Sequence, residues 1–165
     1  MRSRFLPEGR LLHTPENEAA CASRDGLRRA MEEETVLEGV AQLCDGAHNL
    51  LVSVGPFTGF LPREEAALGI AEGTTREIAI LSRVGKPVCF QITALEESEG
   101  VLRPRLSRRR AQQAALDAML AGLHPGCILP AVVTHLESFG AFVDIGCGVP
   151  SLIGIENISV SRIPH

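Results

Sequence analysis

The stretch Ile128–Ser159, ILPAVVTHLESFGAFVDIGCGVPSLIGIENIS, decides how the chain is read. Val132, Thr134 and Leu136 alternate with Val133, His135 and Glu137; AFVDIG follows Gly140, and a Gly/Pro-rich corner leads into SLIGIE. Side chains of period two separated by short turns predict a three-strand antiparallel meander. Phe139 and Phe142 stand three apart around Gly140. On a regular strand that spacing sends two rings to opposite faces, but a glycine at the start of the strand permits a twist or bulge that brings both to one side. Exposed rings on a small sheet are how sequence-tolerant single-strand binders stack bases.

The run FGAFVDIG, Phe139–Gly146, followed by SLIGIENIS, resembles the RNA-binding repeat of bacterial ribosomal protein S-one, whose usual form is close to FGAFVDLG and then GLhHhSxhS with h apolar. The resemblance implies an OB-fold, a five-stranded antiparallel barrel that presents strands and loops to nucleic acid on one face.

Upstream, from Thr35, strands are again expected: TVLEGVAQLCD, NLLVSVG and FTGFLPREE, then PVCFQITALEE and VLRPRLSRRR after a mixed loop with a short helix or strand around REIAIL. Asp45-Gly46 and Glu99-Gly100 supply turns. LLVSVG, GFLP, GKPVCFQI and LSRR also resemble segments of S-one repeats. Val36–Cys44 overlays Ile128–Leu136 at an offset of 92, Leu51–Gly55 overlays Phe142–Gly146 at 91, and Phe60-Leu61 overlays Leu152-Ile153 at 92. A fixed period means two like modules in tandem.

Between them Ser107 is placed to cap a helix through RRRAQQAALDAMLAGL, with Leu116, Met119, Leu120 and Leu123 on one face. At the start of the chain, Thr14 as N-cap, then Pro15, Glu16 and Glu18, predict a helix to about Glu34 with a thin apolar face. The fold expected is mainly β. It comprises an N-terminal arm and helix (1–34), a first S-one-like OB-fold module (35–107), a linker helix (108–125) and an incomplete second OB barrel (126–165). The second copy lacks the segments equivalent to PVCFQITALEE and VLRPRLS, so the chain is expected to be a fragment of a longer one. Val133, Val143, Ile145 and Ile153 should then lack the strands that cover them.

A net charge of −4 argues against the large basic face of a duplex-DNA binder. Among 16 basic residues only Lys86 is a lysine. The N-terminus carries charge without an apolar signal core, so the protein is expected in the cytoplasm, with reduced cysteines. Five cysteines without a C-x-x-C pair offer neither a disulfide framework nor a zinc site, and no metal or cofactor is expected. No hydrolase, zincin or P-loop motif is present, and no enzyme activity or small-molecule substrate is expected.

Phe139 and Phe142 match the two aromatics of the family's ligand face. The family's histidine and serine fall on Gly154 and Glu156, a departure that removes a donor. In the first module the aromatic positions hold His48 and Leu51 and the histidine position Pro62, which reads as a poor base stacker, with His48 as its candidate RNA contact. Arg103, Arg105, Arg108, Arg109 and Arg110 form the densest basic tract, from which arginines are expected to reach phosphates. The expected role is a non-enzymatic RNA-binding protein of translation, with single-stranded RNA (mRNA) and small ribosomal subunit proteins as partners and no membrane. Two other readings stay open: an adaptor whose first barrel docks on protein, and the RNA-targeting portion of a larger RNA-processing enzyme.

Overall fold

A computed structural model describes residues 5–158. After helices α1 (Pro15–Cys21) and α2 (Arg24–Glu32), the strands β1 (Leu37–Cys44), β2 (Leu50–Val54), β3 (Phe57–Leu61), β4 (Pro87–Ser98) and β5 (Val101–Ser107) close into a barrel in the order β1-β2-β3-β5-β4. Four of the pairings are antiparallel, and closure comes through a parallel one, Phe60 against Arg105. The REIAIL segment forms a short helix α3 (Ile78–Leu81) in the β3–β4 connection. Helix α4 (Arg108–Gly122) follows, and β6 (Val132–Glu137), β7 (Gly140–Asp144) and β8 (Pro150–Gly154) make a separate three-stranded sheet. Among the described residues no helix is long and apolar enough to cross a membrane.

The barrel core follows the alternation of β2. Leu50, Val52 and Val54 are fully buried, with Leu61, Val88, Phe90 and Leu106 beside them and Leu27 of α2 closing one end. Each such side chain contributes about 1.5 to 3 kcal/mol by leaving water. The single helix expected from Thr14 is instead two. Thr14 caps α1 through the Asn17 amide, but Ser23 caps a fresh start through the Gly26 amide. A Cβ at Gly26 would stand 2.6 Å from the Ala20 carbonyl oxygen, so the close approach of the two helices requires the glycine.

Helix α4 also differs from its expected apolar face. Its buried stripe is Arg108, Ala111, Gln112, Ala115 and Met119, whereas Leu120 is 76% exposed. Small residues let the helix approach Cys89 of β4, Leu116 packs at the edge of that contact, and Leu120 and Leu123 turn outward. Cys89, Ala111, Ala115, Met119, Cys147 and Val149 form a second core that joins α4 and the barrel to the β7–β8 corner. The three-strand sheet is therefore half covered. Val143, expected to be uncovered, is only 3% exposed and Ile145 packs on the second core, whereas Val133 (57%) and Leu136 (70%) face solvent.

The N-terminal strap stitches these parts together. The Glu8 carboxylate accepts from the Cys89 amide at 2.8 Å and from the Arg108 guanidinium at 2.8 and 2.6 Å. The Glu8 amide donates to Asp144 at 2.8 Å, and the Cys147 amide to the Leu6 carbonyl at 2.9 Å. Burial acts to raise the Glu8 pKa, but the attraction and hydrogen bonds of Arg108, with Arg83 and the Cys89 amide, outweigh it and hold the group at about 2.

Glu38 behaves oppositely. It accepts from the Gly9 and Leu11 amides at 2.9 and 3.2 Å, yet burial pushes its pKa from the ordinary 4.5 to about 7. The folded state thus holds this proton more tightly than the unfolded chain. The resulting stabilisation is full below pH 4.5 and is lost as pH rises towards 7, on the order of 3 kcal/mol in all. Glu38→Gln, which keeps a neutral side chain at every pH, is expected to flatten the fall in urea midpoint between pH 5 and pH 8. An unaltered slope would place the titration elsewhere.

Candidate nucleic-acid interface

Strand parity in β6 is broken once. Val133 pairs with Val143, His135 with Phe142 and Leu136 with Ala141, so an irregularity at Thr134 separates the first two pairs. Val133 and Leu136 then share the inner face with Ala141 and Val143, while His135 turns outward beside Phe142. Phe142 is opposite Leu152 on β8. A row His135–Phe142–Leu152 thus crosses the outer face of the sheet.

The aromatic rings of this face are in contact. His135 lies 6.4 Å from Phe142 between centroids at an interplanar angle of 27°, and Phe139, from the β6–β7 turn, lies 6.1 Å away edge-on at 88°. Both are within the range of favourable aromatic pairs. Phe139 is 52% exposed and Phe142 half-buried, so the cluster offers ring surface to solvent. His135 Nε2 is 2.6 Å from Glu137 Oε1. Two leucines of the same sheet, Leu136 and Leu152, are also exposed.

Asp144 is buried. It accepts from the Gly146 and Gly148 amides at 2.8 and 3.0 Å through Oδ1 and from Glu8 through Oδ2, fixing the corner after β7. Gly148 has φ +75°, and a Cβ there would stand 2.6 Å from Glu8 Oε1. Only glycine suits that turn and that approach.

The arginine tract divides. Arg108, expected to reach a phosphate, is interior: its donors go to Glu8 and to the Ala66 carbonyl at 3.1 Å, and its pKa is raised because the attraction of Glu8 outweighs desolvation. The tract begins a helix that must seal against the barrel, and the first side chain of that turn points inward. Arg109 is engaged by Glu65 at 2.9 and 3.0 Å. Arg105 lies over Phe60, 5.5 Å from the ring centroid, and 3.7 Å from Glu96. Arg103 and Arg110 are exposed and make no ion pair among the described residues. His48, in the β1–β2 turn with φ +65°, pairs with Glu77, which also receives Arg63 at 2.6 Å. It is not part of an aromatic row.

Two residues escaped the sequence reading. His135 was hidden by the irregularity at Thr134, since plain alternation puts it on the side of Val133. Phe60 lies outside the positions that match the FGAF motif, which hold His48 and Leu51. Its signal was the alignment of Phe60 with Leu152.

No protein-family model matches the chain. Small ribosomal subunit protein bS1 of Neisseria meningitidis serogroup B is 26% identical over 145 residues, covering 84% of this chain and 24% of that protein. Small ribosomal subunit protein bS1 of Mycobacterium tuberculosis is 28% identical over 163 residues, covering 96% of this chain and 31% of the relative. The same protein of Rickettsia typhi is 32% identical over 78 residues, 46% of this chain and 14% of its own length. The chain thus spans 24% and 31% of the length of the first two relatives. The solution structure of GSP13 from Bacillus subtilis aligns with 59% of this chain and 64% of its own at a TM-score of 0.35 and 19% identity. Along most of its length the chain is thus similar to small ribosomal subunit protein bS1 of several bacteria.

Proposed function

We propose that the protein is a non-enzymatic RNA-binding protein of translation that holds single-stranded RNA, mRNA in particular, on the outer face of β6–β8 and acts in the cytoplasm with the small ribosomal subunit. The observation that carries this reading is the contact cluster His135–Phe139–Phe142, an exposed set of rings on a small sheet. Every base has a π-face, so such a cluster takes single strands with little regard to sequence, while bases stacked inside a duplex do not reach it. The relatives named as small ribosomal subunit proteins support the setting in translation. Arg110, exposed and without an ion pair among the described residues, and the partly exposed Arg109 supply positive charge for the RNA backbone.

The test is equilibrium binding of a labelled pyrimidine-rich single strand beside a duplex of equal length. The single strand is expected to bind more tightly, and Phe142→Ala to cost about 1 to 3 kcal/mol, the range for one base–aromatic contact. Equal affinity for both RNAs, or an unchanged affinity for the variant, would contradict the reading.

A further inference from the structure

Two cysteines meet where the barrel joins the three-strand sheet. Cys89 lies on β4 and Cys147 in the β7–β8 corner, and both are buried in the small core they share with Ala111, Ala115, Met119 and Val149. Cys89 Sγ donates to the Cys147 carbonyl at 3.4 Å. Burial pushes the Cys89 thiol well above its ordinary range, and a hydrogen bond with the Cys147 thiol and the nearby Glu8 carboxylate push the same way. The two thiols are therefore neighbours. Of the others, Cys21 belongs to the barrel core, and Cys44 and Cys127 turn to the carbonyls of Asp45 at 3.7 Å and Gly122 at 3.9 Å.

The backbone at Cys147 is in the left-handed region, with φ +52°, which residues bearing a Cβ seldom adopt. The strap holds it there, because the Cys147 amide donates to the Leu6 carbonyl at 2.9 Å. Cys147 also borders a cavity of about 270 Å³ whose walls include Leu6, Val36 and Ala114. A small neutral oxidant fits in that space. Cys89 is fully enclosed and holds its proton tightly, so Cys147 is the thiol placed to react first.

We propose that Cys89 and Cys147 form a peroxide-responsive pair whose oxidation to a disulfide locks the three-strand sheet onto the barrel. The Cys147 thiolate attacks one oxygen of hydrogen peroxide and the O–O bond breaks; a sulfenic acid forms on Cys147, and the departing hydroxide recovers the thiol's proton as water. The Cys89 sulfur then attacks the sulfenic sulfur. Its proton passes to the departing hydroxyl, which leaves as a second water. Two thiols thus lose two electrons and one peroxide gains them. The link joins positions 58 residues apart, and closing a loop of that size restricts the unfolded chain, so the oxidised protein is the more stable one. It falls at the junction that Glu8 already ties through the Cys89 amide and Arg108.

The test exposes the full chain to hydrogen peroxide, weighs the intact protein, blocks remaining thiols with iodoacetamide in denaturant and maps the peptides without reductant. One peptide pair linking Cys89 to Cys147 is expected, in a protein lighter by two hydrogen atoms. The melting temperature should rise until dithiothreitol is added, and amide exchange at Gly146 and Gly148 should slow. A variant carrying Cys21→Ala, Cys44→Ser and Cys127→Ser should form the same link, because those thiols take no part. Cys89→Ser should halt the sequence at a Cys147 sulfenic acid that dimedone traps. Cys89 and Cys147 both still free in the triple variant after peroxide, or Cys147 carried to sulfinic acid beside an unreacted Cys89, would overturn the proposal. So would a link that forms only in denaturant.

Discussion

Arg108→Ala is expected to destabilise the protein by about 3 to 5 kcal/mol, the usual consequence of removing one partner of a buried ion pair. The variant strands the Glu8 carboxylate, which is then left with the Cys89 amide and with Arg83 at 3.4 Å. Because Glu8 and Asp144 share the strap, the effect should spread to the β7–β8 corner, seen as faster hydrogen exchange at Gly146 and Gly148. Glu8→Ala combined with Arg108→Ala should cost less than the two single losses summed, since neither charge is then left alone. A loss below about 1 kcal/mol for Arg108→Ala would show that the pair is solvated in solution and resembles a surface salt bridge.

Phe139→Ala combined with Phe142→Ala is expected to remove about 2 to 6 kcal/mol of single-strand binding, twice the range for one stacked base. Stability should change little by comparison, because Phe139 is exposed at the turn and the sheet's buried side is formed by Ala141 and Val143. The rings touch, so the two substitutions should couple: the double loss should depart from the sum of the single ones. Binding within a factor of two of the parent would remove this face from RNA contact.

The sequence carried the barrel well because local pattern and global fold agree there. Leu50, Val52 and Val54 alternate in the chain and all three point into one core. The repeat was equally legible, since offsets of 92 and 91 placed matching strands before any pairing was known. What escaped depended on a single inserted residue or on long-range contact. The irregularity at Thr134 inverts the facing of everything after it in β6, so His135 joined the outer row and Leu136 the inner one. The interior fate of Arg108 is set by Glu8, a hundred residues earlier, and no window of sequence around RRR contains that partner. The burial of Asp144 is out of reach of a local reading for the same reason: its amide donors at Gly146 and Gly148 are local, but the Glu8 strap that buries it is not.

The central claim, that RNA lies across the outer row of β6–β8, is tested most directly by titrating isotope-labelled protein with a short oligouridylate and following amide and aromatic resonances. The account predicts the largest shifts at His135, Phe139, Phe142 and Leu152, with Leu27 and Phe90 in the barrel core unmoved. Shifts confined to α1, α2 or α4, with those four residues unchanged at saturation, would contradict it.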